Sequence, residues 1–264
     1  MTIRDLPGFR AYVLPDGGKP AAGPPPGGSA DWFSIENKGD KSATVRIYDT
    51  IGFWGTSAAD FAEQLAELDV DVIDLRLNSG GGSVFDGVAI HNTLLTHRAR
   101  VDVTVDGIAA SIASVIAMAG DTVTMGQGTR LMIHNPMGLA VGQAADMRKL
   151  ANLLDELGKD IAGFYAARGG KDVAHWLALM DAETWYSAQE AVDAGLADGV
   201  LKAAAPTKSD GAAENTLKVH DLSAFGFRYA DRDQAPSPAV TALSIRSAQL
   251  RARHQARQEV RGSD

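Results

Sequence analysis

A chain of 264 residues can hold one domain of about 150–200 residues with flanking segments, or two small domains. The net charge of −8 argues against a nucleic-acid-binding protein, because phosphate contacts require a basic face. The absence of cysteine excludes a disulfide scaffold, a cysteine nucleophile and a thiolate metal site, and it is typical of a reducing cytoplasm. Since the sequence has neither an apolar run of membrane-spanning length nor an apolar signal segment, we expect a cytoplasmic protein without membrane contact.

Hydrophobic periodicity predicts alternating strands and helices after a proline- and glycine-rich segment over 1–30, which is predicted to be disordered. A strand over 43–50 is followed by a helix over 58–68 with Ser57 as its N-cap. The other predicted elements are strands 70–77, 101–105, 122–125 and 130–133 and helices 84–97, 111–119, 143–168, 172–179 and 188–194. This alternation predicts an α/β domain with a largely parallel sheet and helices packed on it.

The C-terminal segment 202–264 has the composition of a linker followed by a basic tail, in which 244–261 could form a helix. From Arg228 onward, seven arginines stand against four acidic residues, so the tail carries about +3 and the remainder about −11. A solvated tail is the simplest interpretation. A docking or self-cleaved segment used in capsid assembly is the alternative.

Three segments carry the residue types that acyl transfer by a hydroxyl requires, namely a nucleophile, a base and N–H donors for the oxyanion. A triple-glycine run over 80–82 follows strand 70–77. Strand 101–105 is predicted to turn through Asp106-Gly107 into a helix that begins at Ser111. Strand 130–133 delivers His134. Each feature alone also has an ordinary structural explanation, as a tight turn, an N-cap or a polar strand end.

Ser111 is the predicted nucleophile, because its hydroxyl sits at a helix N-terminus with little side-chain bulk around it. Ser114, one turn further along, is interpreted as a small packing residue. The G-x-S-x-G pattern of the α/β-hydrolase elbow is absent around Ser111. His134 is the predicted base, because the other five histidines lie on predicted helices or in the tail, whereas a proline-constrained turn follows His134.

The sequence around these residues resembles the active-site blocks of the Clp protease proteolytic subunit, and the blocks occur in the same order over roughly 43–200. The matching blocks are Leu77-Asn78-Ser79-x-Gly81-Gly82, Asp106-Gly107-x-Ala109-Ala110-Ser111-x-Ala113-Ser114, Met132-Ile133-His134-Asn135-Pro136 and the run from Glu183 to Val192. The resemblance implies a Clp protease/crotonase-like fold over 31–201. It also implies a serine endopeptidase that works through an acyl-enzyme without cofactor or metal, and ring-shaped homo-oligomers.

The resemblance also implies the remaining site residues. Its register places the third catalytic residue at Glu183, where the family usually carries aspartate, and Asp181 is the competing acid. The oxyanion hole would be formed by the backbone N–H groups of Gly82 and Ile112. The peptide substrate would lie between two extended segments, 82–85 and 135–139. The substrate-binding residues implied in this way are Gly81, Ser83, Val84, Asn135, Pro136 and Met137.

Three further runs of sequence are similar to those of the Clp-like head-maturation proteases of tailed phages and prophages. The runs that carry this similarity are Ile47-Tyr48-Asp49-x-Ile51-Gly52, Val84-Phe85-Asp86-Gly87-Val88-Ala89-Ile90-His91-Asn92 and Ala117-Met118-Ala119-Gly120-Asp121. A protease of that branch would cleave capsid and scaffold proteins inside a procapsid. Whether it would use an ATP-driven unfoldase is left open by the sequence.

Three alternatives to the phage protease come from different functional classes. A housekeeping Clp proteolytic subunit would share the same triad. A crotonase-type enzyme would hold a thioester enolate and would not need Ser111 and His134 together. A catalytically silent capsid or scaffold component would not react with a serine probe. Glycine-rich phosphate binding fits poorly, because 80–85 lacks both dinucleotide and P-loop signatures.

Overall fold

The computed structural model describes residues 31–52 and 56–202, together with Phe227, 237–239, 241, 242 and 245. The predictions for 1–30 and for most of 202–264 therefore lie outside the described residues. The strands are β1 (Phe33–Asn37), β2 (Ser42–Tyr48), β3 (Val72–Ser79), β4 (Arg100–Ala110), β5 (Thr122–Met125), β6 (Arg130–Ile133), β7 (Thr184–Ser187) and β8 (Gly199–Val200). The helices are α1 (Ala58–Ala66), α2 (Val84–Thr96), α3 (Ile112–Ala117), α4 (Ala144–Gly169), α5 (Val173–Asp181) and α6 (Ala188–Asp193).

The strands form one largely parallel sheet, as the β–α alternation predicts. Its order is β1-β2-β3-β4-β5-β8, and all neighbours are parallel except for β1, which pairs antiparallel with β2 at the edge. Strand β6 pairs in parallel with the distal half of β4, and β7 pairs antiparallel with β6. The predicted α/β class with a largely parallel sheet is confirmed.

One face of the sheet carries the hydrophobic core. Alternate residues of β3 and β4, such as Leu75 and Val103, are fully buried against side chains of the helices, including Phe61 of α1 and Ile116 of α3. The residues between them point to the other face, which is polar and only half-buried. Because side chains alternate along a strand, one period-2 pattern produces both faces.

The helix starts follow local capping chemistry. Ser57 caps α1 as predicted, and its hydroxyl accepts a hydrogen bond from the Asp60 amide while the Asp60 carboxylate accepts one from the Ser57 amide. The same reciprocal arrangement joins Ser187 and Glu190 at α6. These caps satisfy backbone donors that have no intrahelical partner. Among the described ranges, no helix combines the length and apolar character needed to cross a bilayer.

Strand β4 is longer than predicted, and the expected turn at Asp106-Gly107 is wrong. The strand runs through both residues because its first half pairs with β5 and its second half with β6. The register against β3 shifts between Leu77 and Ser79, where the Asn78 Oδ1 atom accepts a hydrogen bond from the Ile108 amide at 3.2 Å. A Cβ at Gly107 would lie 2.4 Å from that oxygen, so glycine lets β4 bend there instead of reversing.

Candidate active site

The predicted site residues lie where parallel strands end at one edge of the sheet. The glycine run 80–82 follows β3, Ser111 follows β4 and His134 follows β6. Ligands of open α/β sheets bind at this carboxyl edge, because the strand ends leave a crevice there. The tertiary structure therefore brings together segments that are more than twenty residues apart in the chain.

Ser111 occupies a strained position between β4 and α3. Its backbone has φ of 55° and ψ of −129°, it is the N-cap of α3, and its hydroxyl makes no capping hydrogen bond. A non-glycine residue in such a conformation costs on the order of 1–3 kcal/mol. The Ser111 amide donates to the Met132 carbonyl at 3.0 Å, so pairing with β6 holds the strained residue in place. The hydroxyl is thereby left available for another partner.

That partner is His134. Its Nε2 atom lies 2.7 Å from the Ser111 Oγ atom, a hydrogen-bond distance. Burial lowers the pKa of the His134 imidazole to about 4, so the ring is neutral at neutral pH. A neutral imidazole whose Nε2 faces a hydroxyl can accept the hydroxyl proton.

Glu183 directly precedes β7, and His134 directly follows its partner strand β6. The last pair of this antiparallel ladder is Ile133 opposite Thr184, so His134 and Glu183 each lie one residue beyond the same end of it. Glu183 is buried, with 7% of its surface exposed, has φ of 52°, and its Oε1 accepts from the Trp185 indole N–H at 3.2 Å.

Asp181, the competing acid, is placed differently. It is the last residue of α5, is exposed, and its Oδ1 accepts a hydrogen bond from the Asn135 side-chain amide. This carboxylate therefore holds the loop after His134.

The glycine run packs directly against the serine. Gly81 has φ of 107°, and a Cβ there would lie 2.8 Å from the Ser111 Cβ atom. Gly82 has φ of 154°, and a Cβ there would lie 2.1 Å from the Ile51 carbonyl oxygen. Only glycine combines these positive φ angles with such close approach. Both residues are therefore needed for the backbone to reach Ser111.

Two hydrogen bonds fix the direction of this loop. The Ile51 amide donates to the Gly81 carbonyl, and the Ser83 amide donates to the Ile51 carbonyl, both at 2.9 Å. They form a parallel bridge between Ile51 and Gly82. The Gly82 N–H belongs to neither bond and points away from Ile51, as it does in any parallel ladder. The Ile112 N–H, at the first position of α3, has no acceptor within its helix.

Comparison with known proteins agrees with this geometry. The family model described as Clp protease matches residues 28–204. The chain belongs to the Clp protease family. It is accordingly a serine-type peptidase, a hydrolase that acts on peptide bonds.

Several relatives carry the name ATP-dependent Clp protease proteolytic subunit. The one from Bacteroides fragilis is 37% identical over 166 residues, which cover 59% of this chain and 80% of the relative. The one from Bacteroides thetaiotaomicron is 36% identical over 166 residues, covering 59% and 76%. Subunit 4 from the chloroplast of Arabidopsis thaliana is 35% identical over 169 residues, covering 59% and 57%.

The two segments expected to flank a substrate differ in conformation. The backbone after Gly82 is extended only as far as Ser83, which caps α2, and both Val84 and Phe85 lie in the first helical turn. The expected extended segment 82–85 is therefore shorter than predicted. On the other side, Asn135, Pro136 and Met137 are half-buried and belong to no helix or strand.

Ser114 has the packing role that the sequence predicts, and it has a polar partner as well. It is fully buried, and its hydroxyl donates to the Ser111 carbonyl at 2.6 Å. Its oxygen also lies 2.8 Å from the buried Tyr165 hydroxyl of α4. Burial raises the pKa of Tyr165, so the phenol stays protonated and can donate. This connection between α4 and the backbone of Ser111 depends on tertiary packing, and no local sequence pattern indicates it.

Phe227 is a second residue that the sequence did not indicate. It lies in the C-terminal segment, outside the predicted peptidase domain 31–201, yet it is 7% exposed and packs edge-on against His134. Tail composition contains no signal for such a contact.

Within the part of the chain that the structure describes, no three histidine or acidic side chains are arranged to hold a metal ion.

Proposed function

We propose that this Clp-family peptidase cleaves peptide bonds through an acyl-enzyme on Ser111, with His134 as general base and Glu183 as the orienting acid. The observation that carries the proposal is the 2.7 Å contact between Ser111 Oγ and His134 Nε2. The His134 Nε2 atom takes the hydroxyl proton as Oγ attacks the scissile carbonyl carbon, and it then gives that proton to the leaving amine. Water repeats the sequence to release the acyl group.

Glu183 has a supporting role in this mechanism. A carboxylate beside the imidazole keeps the proton on Nδ1 and stabilises the imidazolium that forms during attack. The placement of His134 and Glu183 at the same end of the β6–β7 ladder favours Glu183 over Asp181, whose carboxylate is engaged with Asn135.

The backbone N–H groups of Gly82 and Ile112 are the proposed oxyanion hole. Gly82 directs its N–H away from the Ile51 bridge, and Ile112 follows the nucleophile at the start of α3. Two preorganised donors of this kind stabilise the negative charge that develops on the carbonyl oxygen. Backbone of Gly81 and Ser83 on one side, and of 135–137 on the other, would pair with an extended peptide and give loose sequence preference. Val84, at the start of α2, would border the same cleft.

A fluorophosphonate probe tests this assignment directly. The wild-type chain should be labelled at Ser111, and Ser111→Ala should abolish labelling. Ser42→Ala is the control, since Ser42 lies at the start of β2, far from the carboxyl edge, and its hydroxyl donates to the exposed Asp40. It should fold and retain labelling. Labelling that persists in Ser111→Ala would contradict the assignment, and so would an unreactive wild-type protein.

The biological role that we propose is head maturation in a tailed phage or prophage, with capsid and scaffold proteins as substrates. The support is the phage-type sequence in 47–52, 84–92 and 117–121, together with a tail beyond the family match that carries about +3 from Arg228 onward. A tail opposite in charge to the rest of the chain suits recruitment into a growing shell. A housekeeping role is the second candidate, favoured by relatives whose names include ATP-dependent. An unfoldase partner belongs to that candidate.

Self-association into a ring is part of the same proposal. Parallel sheets are normally covered on both faces, and the described helices pack against the face that carries the core. The other face holds half-buried polar groups, among them Tyr48 and Arg76, which both donate to the Asp106 carboxylate. A second copy of the chain would cover this face, as in a ring of identical subunits.

A further inference from the structure

A small apolar pocket lies beside the catalytic histidine, separate from the main core. It is formed by Ile108 and Ala110 of β4, Met132 of β6 and Trp185 of β7, and its fifth buried member is Phe227. The four strand residues come from adjacent positions of the sheet, since Ala110 pairs with Met132 and Met132 pairs with Trp185. A residue from the C-terminal segment therefore completes a cluster that the strands begin.

The ring of Phe227 makes two edge-to-face contacts. Its centroid is 5.2 Å from that of His134 with an interplanar angle of 81°, and 6.0 Å from that of Trp185 with an angle of 77°. Such edge-to-face geometry is favourable for aromatic pairs. Phe227 therefore covers one side of the imidazole with hydrocarbon at the position where solvent would otherwise lie.

We propose that Phe227 is a positioning residue for His134: it excludes water from the imidazole and holds the ring in the orientation that faces Ser111. The inference rests on the proposed function, in which His134 is the general base. It assigns a part in the active site to a residue outside the segment that the family model matches, which ends at residue 204.

The polar groups near His134 bear on how Phe227 affects the protonation of the imidazole. Among the described residues they are the Ser111 hydroxyl after β4, Glu183 before β7, and Asp181 of α5, which acts through Asn135. Exclusion of water destabilises the imidazolium, and burial lowers the pKa of His134 to about 4. Phe227 thus helps to keep the base neutral under mildly acidic conditions.

The direction of the change in activity with pH follows from the protonation of His134. The neutral imidazole is the form that accepts the serine proton, so activity falls as the pH drops through the His134 pKa. Removing Phe227 admits water and moves that pKa up from about 4 towards the ordinary value of 6.5. At pH 5.5 the neutral fraction would then fall about tenfold, while at pH 8 it would change little.

The test compares full-length wild type, Phe227→Ala and Phe227→Leu. The rate of fluorophosphonate labelling is measured from pH 4 to pH 8, and the His134 imidazole is titrated by NMR in the same proteins. We expect the acidic limb and the NMR pKa to move upward together in Phe227→Ala, with about tenfold slower labelling at pH 5.5 relative to pH 8. Phe227→Leu should restore most of the wild-type profile, because it replaces the apolar cover.

The outcomes separate this inference from the function on which it rests. If wild type is not labelled at any pH, the proposed function fails. If wild type is labelled but Phe227→Ala has the same profile and the same His134 pKa, the positioning role is overturned. Faster labelling of Phe227→Ala at every pH would also overturn it, because Phe227 would then obstruct the substrate. The NMR titration needs no activity, so it decides the question even for a slow variant.

Discussion

At the scale of single residues, two residues of the proposed site have a backbone with positive φ. Ser111 and Glu183 both have positive φ, at 55° and 52°, and they lie at the ends of paired strands on either side of His134. Strain of this kind persists only where the surrounding structure determines it. Here the Ser111 amide is paired with Met132, and the Glu183 amide donates to the Met180 carbonyl at 3.0 Å.

The identity of the acid is the residue-level question. We expect Glu183→Gln to lower kcat on a fluorogenic peptide by on the order of 10³–10⁴-fold, because an uncharged partner no longer stabilises the imidazolium or the correct tautomer. Asp181→Asn is the matched control and should change kcat less than about threefold, since its exposed side chain can keep a hydrogen bond to Asn135. A larger effect from the Asp181 change would show that Asp181, and not Glu183, orients His134. If neither change matters, the enzyme works as a serine–histidine dyad.

At the scale of secondary-structure elements, the position of the nucleophile is set by how β4 changes partners. The strand leaves β5 at Val105 and joins β6 at Ile108, and Asn78 of β3 fills the irregular step between them. This bend carries Ser111 to the end of β6, next to His134. The glycine loop after β3 reaches the same point through its bridge to Ile51.

A substitution in that loop tests the oxyanion proposal. Gly82→Ala would place a Cβ 2.1 Å from the Ile51 carbonyl at a φ of 154°, so the bridge must open and the N–H must turn. We expect kcat/KM for a peptide substrate to fall by about 10²–10³-fold, the typical cost of one lost oxyanion donor. Gly163→Ala is the control, because this glycine lies inside α4 and a Cβ added there would meet no atom within 4 Å. That change should stabilise the helix by up to about 1 kcal/mol. Unchanged kcat/KM in Gly82→Ala would exclude the Gly82 N–H from the oxyanion hole.

At the scale of the whole molecule, two features distinguish this chain from a bare peptidase domain. The open sheet face is polar, with Tyr48, Arg76 and Asp106 in one hydrogen-bonded group. Burial and the hydrogen bond to Asp106 raise the pKa of Tyr48 to about 12, so the phenol remains a donor throughout the physiological range. Beyond the matched region, the C-terminal segment places Phe227 against His134.

The head-maturation role makes a prediction about the whole assembly. When the wild-type chain is co-expressed with the major capsid protein and scaffold from its own locus, at least one of them should be cleaved. Ser111→Ala should leave every chain at full length, because it lacks the nucleophile. Intact-mass spectrometry of the assembled particles measures both results. Identical masses with active and inactive protein would contradict the maturation role, and a general peptidase activity on peptides would then favour the housekeeping alternative.

Local patterns in the sequence determined most of the elements and two of the site residues. The alternation in β3 and the Ser57 cap of α1 are encoded within a few residues, so they were predicted within two residues of the observed bounds. Ser111 and His134 were predicted from their positions after strands and from the resemblance of the surrounding sequence to the family. Strands β1, β7 and β8 were not predicted, and β8 has only two residues, too few to carry a periodic signal.

Only the tertiary structure decided how these pieces meet. The bend of β4, the placement of His134 and Glu183 at the same end of the β6–β7 ladder and the positive φ of Ser111 all depend on strand pairing between segments far apart in the chain. Phe227 is the clearest case, because nothing in a basic, polar tail indicates which residue will be buried or against what. Pairing and burial are properties of the folded arrangement, so local sequence can specify a strand or a helix start without specifying its neighbour.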